Sequence, residues 1–133
     1  MVLVSHQIRN CRHLVEVVIS NIQDPTRTDP NLYSVVLENE EVRVLRYHDR
    51  PGDSTHPHAH PNSVMITMSS FQRRLRNDGK EVDVEIPAGE VRWLDAQVHH
   101  GENIGDTDTI TFFVELKGTH APVSEALGPQ SNA

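Results

Sequence analysis

His56-Pro57-His58-Ala59-His60 puts three imidazoles at alternate positions in the middle of a 133-residue chain. On a helix, residues i and i+2 point to nearly opposite sides; on a strand they share a face. Only an extended backbone gathers these three side chains into one small volume, and Pro57 stiffens it. Residues before proline are biased to extended conformations, which favours strand geometry at both His56 and His60. Pro61 removes a ladder donor, so the strand lies at an edge or a bulge there. Imidazole is the commonest protein metal ligand and suits zinc, copper, iron and nickel. The competing reading is a His-rich surface loop, or for each histidine singly a hydrogen-bonded interior lining without metal.

Outward from the histidines, the chain reads as repeated short strands. Arg50-Pro51-Gly52-Asp53 is a strong breaker just before them, and Ser63 to Ser69 is a β-branched run just after. Upstream, Ser34 to Leu37 and Glu41 to Tyr47 flank the polar Glu38-Asn39-Glu40 turn. Downstream, Phe71 to Arg76 and Glu81 to Ile86 flank Asn77-Asp78-Gly79-Lys80, a strong hairpin signal. Pro87-Ala88-Gly89 turns the chain into Glu90 to Leu94, and Asn103-Ile104-Gly105-Asp106 precedes the last strong strand, Thr109 to Leu116. Strands at this spacing with no convincing helix among them predict an all-β sandwich or small barrel.

The flanks read differently. Ile8, Cys11, Val15, Val18 and Ile22 fall at helical spacing, yet Leu14 to Ile19 is β-branched, so residues 1–27 are expected to be an extension holding a short helix or an added strand. Asp24-Pro25 and Asp29-Pro30 close it as a turn-rich linker. Residues 28–117 then form the domain, and residues 118–133, small and polar, a mobile tail or at most an ordered arm.

Twelve basic against 19 acidic residues give a formal charge of −7. That argues against nucleic acid or an anionic membrane as partner, since both call for basic patches. The cluster Arg73, Arg74, Arg76 and Lys80 flanks a turn and reads as a solvated strand face. Leu14 to Ile19 is too short to span a membrane and is broken by Glu16. The first residues lack the pattern of a signal peptide. One cysteine, Cys11, forms no internal disulfide and fits a reducing, cytoplasmic location.

At this point the pattern resembles the cupin superfamily, the double-stranded β-helix or jelly-roll barrel of RmlC-like proteins, in its small single-domain bacterial form. Gly52 followed by His58 and His60 fits the start of the first cupin motif; a second register uses His56 and His58, with Ser63 and Ser70 at its later positions. Neither register has a Glu at the ligand position, and the extra histidine stands in for it. The second motif starts at Gly89, with Asp95 where the family has Pro and Gln97 where it has Gly. His99 and His100 follow, and three residues separate His99 from Asn103 as the motif asks. The two half-matches cover roughly residues 40 to 116.

The resemblance implies a barrel that brings His99 or His100 to the triplet from across its interior. Neighbours on a strand face opposite ways, and motif spacing favours His99. The expected metal ligands are therefore His56, His58, His60 and His99, around one divalent transition metal: iron, zinc, nickel or manganese. An all-imidazole set leaves the ion its full charge and makes it a stronger Lewis acid. The implied function is a metal-dependent enzyme on a small organic molecule, of dioxygenase or cyclase/isomerase type. The alternative is a non-catalytic module that binds a small ligand or metal. A homodimer is the expected assembly. Glu102 and Asp95 are candidates to orient His99 or act as a base. Arg43, Arg46 and Tyr47 lie on the strand entering the site, Arg92 and Trp93 alternate near its mouth, and Met65, Ile66, Met68, Phe112 and Phe113 read as core.

Overall fold

In the computed structural model, residues 23–118 and 123–132 are described. The helix or strand expected before residue 23, and Cys11, lie outside them. One helical turn, α1 (Pro25–Thr28), comes first. Asp24 caps it by accepting a hydrogen bond from the Thr26 amide, and Pro25 supplies a preset φ at its first position. The turn-rich linker thus carries a helix too short for periodicity to reveal.

Nine strands follow: β1 (Tyr33–Glu38), β2 (Val42–Asp49), β3 (His58–His60), β4 (Ser63–Thr67), β5 (Phe71–Asn77), β6 (Lys80–Ile86), β7 (Val91–Leu94), β8 (Gln97–Asn103) and β9 (Thr109–Leu116). They form two antiparallel sheets, β1-β2-β9-β4-β7 and β3-β8-β5-β6. This is the all-β architecture expected from the strand pattern, in the jelly-roll form that the resemblance implies. β5 and β6 close through Asp78 and Gly79, both at positive φ (54° and 80°), the two-residue hairpin that Asp-Gly encodes.

Burial alternates residue by residue along β4, β8 and β9, so each strand turns one face to the interior. Leu45, Tyr47, Met65, Leu94 and Phe113 from one sheet meet Phe71 and Ile86 from the other in the core. Met68, expected in the core, is 55% exposed because β4 ends at Thr67.

The interior is unusually polar for so small a core. Asp49 accepts hydrogen bonds from Tyr47 Oη, Arg73 Nη1 (2.5 Å), Asn103 Nδ2 (2.9 Å) and the Thr109 amide (3.3 Å). That corrects the sequence reading of Arg73 as solvated: it is buried, whereas Arg74 and Arg76 beside it do pair with exposed carboxylates. Gly101 makes room for it, since a Cβ there would stand 2.9 Å from Arg73 Nη2.

The C-terminal residues 123–132 are an arm, not a tail. Ser124 N donates to Ala96 O (2.6 Å), Gln130 N to Trp93 O (2.8 Å) and Asn132 Nδ2 to Val91 O (2.8 Å), so the arm runs along β7 and the start of β8. No helix among the described residues is long and apolar enough to cross a membrane.

Candidate metal centre

The register of β3 against β8 builds the site. His58 is directly opposite His99, and His60 opposite Gln97, so four side chains share one interior face. His99 therefore reaches the others from the adjacent strand, not from across the barrel. The ring centroids of His58 and His60 are 4.7 Å apart, those of His58 and His99 4.9 Å, and those of His60 and His99 5.0 Å. One nitrogen from each ring lies within 4.8 Å of the other two, and all three residues are buried.

Hydrogen bonds aim two of the rings. His58 Nδ1 is 2.8 Å from the His56 carbonyl, so Nδ1 carries the hydrogen and Nε2 is left with its lone pair. His99 Nδ1 donates to Gln97 Oε1 at 2.8 Å. That amide is itself locked: its oxygen also accepts from Gly128 N (2.7 Å), and its nitrogen donates to Asp95 O (2.9 Å). His60 is stacked on Phe113, with ring centroids 5.1 Å apart, and its Nε2 lies 3.0 Å from His58 Nε2.

Burial, then the neighbouring His60, pushes the His58 pKa down to about 3. His99 is held well below the ordinary histidine range, first by burial and then by His60 and His58. Both rings are thus neutral at neutral pH, the state in which imidazole binds a metal. A tetrahedral zinc with nitrogen bonds of about 2.1 Å holds its ligand nitrogens about 3.4 Å apart, so nitrogens that lie within 4.8 Å of one another close by up to about 1.4 Å on binding. Three convergent imidazoles with no carboxylate among them fit a divalent transition metal and leave positions open.

Of the four residues expected to meet, the structure brings together His58, His60 and His99. His56 stands apart. Its side chain is 75% exposed, with Nδ1 2.8 Å from Asp29 Oδ1, and the backbone amide donates to Asp29 Oδ2 at 3.0 Å. The cause is local: β3 begins only at His58, so His56 precedes the ladder that aligns the other two. His100 faces away from the centre, opposite Arg76. Neither proposed orienter touches His99. Glu102 pairs with Arg76 (3.4 Å), and Asp95 accepts from Trp93 Nε1 (2.8 Å) while its carbonyl holds Gln97. Arg43 turns inward but is held by Glu115 and Asp24, and Arg92 pairs with Glu90.

Sequence reasoning passed over Tyr33, Gln97, Thr111 and Glu115 as site residues. Tyr33 Oη lies 3.4 Å from His58 Nε2, and burial raises its pKa, so it stays a hydroxyl donor. Thr111 Oγ1 is buried without a hydrogen-bond partner among the described residues. Tyr33, His58, His99, Arg73, Thr111 and, from the arm, Pro129 help line a cavity of about 40 Å³. Gln97 could have been found, because on a strand it shares a face with His99.

Neither a protein-family model nor a curated protein matches the chain. Solved structures do. One is a cupin domain from Bordetella pertussis Tohama I, 24% identical, aligned over 65% of this chain and 93% of that one with a TM-score of 0.61. Another is an uncharacterised conserved protein with a double-stranded β-helix domain from Klebsiella pneumoniae, 26% identical over 65% of this chain and 76% of that one, TM-score 0.53. A third is a cupin 2 conserved barrel domain protein from Salinispora arenicola CNS-205, 23% identical over 69% and 81%, TM-score 0.51.

Proposed function

We propose that this chain, which has the cupin fold, is a metal-dependent enzyme acting on a small organic molecule, with His58, His60 and His99 holding one divalent transition-metal ion. The observation that carries this reading is the convergence of three buried imidazoles, two of them kept neutral by burial. When bound, such an ion supplies Lewis-acid polarisation of a substrate oxygen and acidifies coordinated water.

The rest of the chemistry falls to the chain. Tyr33 Oη, beside His58 Nε2, donates a hydrogen bond to a substrate oxygen and does not serve as a base. Both interior arginines identified here, Arg43 and Arg73, are already matched by carboxylates, which favours an uncharged substrate over an anion. Met65, Leu94 and Phe113 give the cavity apolar walls. Oxygenase and cyclase or isomerase chemistry both suit this donor set. We place the protein in the cytoplasm as a homodimer; its single cysteine fits the compartment, and light scattering tests the assembly.

The size of the cavity favours a second reading. About 40 Å³ suits a few waters or a very small ligand, as befits a module that binds metal or such a ligand without turnover.

Elemental analysis of untagged protein, purified without chelator, beside His58→Ala and His99→Ala, tests the metal centre. Near one iron, zinc, nickel or manganese per chain, lost in both variants, is the expected result. Iron leads to oxygen-uptake assays and zinc to cyclase assays, and turnover in either removes the binding-module reading. A parent that stays metal-free after reconstitution overturns the centre.

A further inference from the structure

His60 differs from its two partners in what stands behind it. His58 and His99 each place Nδ1 on a hydrogen-bond acceptor. Behind His60 the facing group is Glu115, whose Oε2 lies 3.8 Å from Nδ1. Both atoms are buried, and neither has a hydrogen-bond partner among the described residues. An orphan pair of this kind is costly, about 1–3 kcal/mol for each unsatisfied group, and calls for a reason.

The tautomers give one. His58 holds its hydrogen on Nδ1, so its Nε2 can only accept, and the 3.0 Å contact between the two Nε2 atoms requires His60 to donate from Nε2. With a single proton on the ring, that leaves a bare lone pair on His60 Nδ1, facing a carboxylate oxygen. Two acceptors cannot pair. The carboxylate cannot turn away either: Glu115 Oε1 accepts from Arg43 Nε at 2.7 Å, and Arg43 Nη1 is held by Asp24 Oδ2 at 2.8 Å. The register pairs Glu115 with Arg43 on β2 and Ser63 on β4, which fixes its place in the wall.

We infer that Glu115 is the positioning residue of the metal centre, its Oε2 set to accept a hydrogen bond from His60 Nδ1 once His60 turns its Nε2 lone pair to a metal ion. The step takes up no net proton: one leaves Nε2 and one is carried on Nδ1. The mismatch in the metal-free protein is thereby a match in the loaded one. A carboxylate behind a ligating histidine fixes its orientation and raises its basicity. The inference rests on the proposed metal centre and names the residue that completes it.

Zinc is the probe. Long-range proton–nitrogen NMR of the metal-free protein should show His60 with its hydrogen on Nε2, moving to Nδ1 as one equivalent of Zn²⁺ is added. Zinc affinity of Glu115→Gln, by competition with a chelating dye, should fall 10- to 100-fold. The single amide oxygen there serves Arg43 or His60 but not both, and the amide N–H favours the tautomer that withholds Nε2. Zinc binding with His60 still protonated on Nε2, or unchanged affinity in Glu115→Gln, overturns the inference and leaves the metal centre standing. No zinc binding by the parent protein overturns both. The NMR measurement on the unaltered chain decides the matter even where the variant fails to fold.

Discussion

His58 and His99 show how far position sets chemistry for a single residue. The same imidazoles titrate near 6.5 in an unfolded chain and are pushed far lower here, to about 3 for His58. Between those values the unfolded state takes up protons that the folded state refuses, so stability rises with pH across the window and is lost as pH falls. From about pH 7 to about 5.5, above the carboxylate range, the urea midpoint of the metal-free protein should drop, with a limiting slope of about 1.4 kcal/mol per pH unit for one such group. His58→Ala should flatten that slope. A midpoint indifferent to pH over this range contradicts the burial-driven shift. At this scale the alternating histidines were legible, because a two-residue period is a local signal. Glu115 was not: it lies on the last strand, and only the β4–β9 register carries it to His60.

Among the elements, β2, β5, β8 and β9 are tied together by one carboxylate. Asp49 on β2 binds Arg73 on β5, Asn103 on β8 and the amide of Thr109 on β9, so it bridges the two sheets. Asp49→Ala strands a buried guanidinium without its counter-charge and should cost about 3–5 kcal/mol in urea denaturation. Asp83→Ala, which removes the partner of half-exposed Arg74, should cost under about 1 kcal/mol. A loss at Asp49 as small as that at Asp83 means Arg73 finds another partner. The contrast also marks where reading by element stops. The β5–β6 hairpin is encoded in adjacent residues and was legible with its turn. Arg73 and Arg74 are neighbours of the same type, and what separates them is a carboxylate 24 residues away that no local pattern announces.

For the whole molecule, the C-terminal arm should govern access to the proposed centre. Pro129 helps line the cavity that His58 and His99 share, and Gly128 N donates to the Gln97 oxygen that orients His99. Gly128 sits at φ +81°, and a Cβ there would stand 3.0 Å from Leu75 Cδ1, so the arm approaches the barrel as closely as only glycine allows. The strands and the core residues of both sheets lie before residue 119, so a chain ended after Gly118 keeps its core. It loses the cover, and the Gln97 amide becomes free to turn. Zinc should then bind about tenfold more weakly and be stripped by chelator faster than from the full chain. Gly128→Ala should give an intermediate effect, because strain at that φ lifts the arm without removing it. Stripping rates equal in the full and shortened chains would mean that the centre is reached from elsewhere, and that the arm serves the barrel's stability alone.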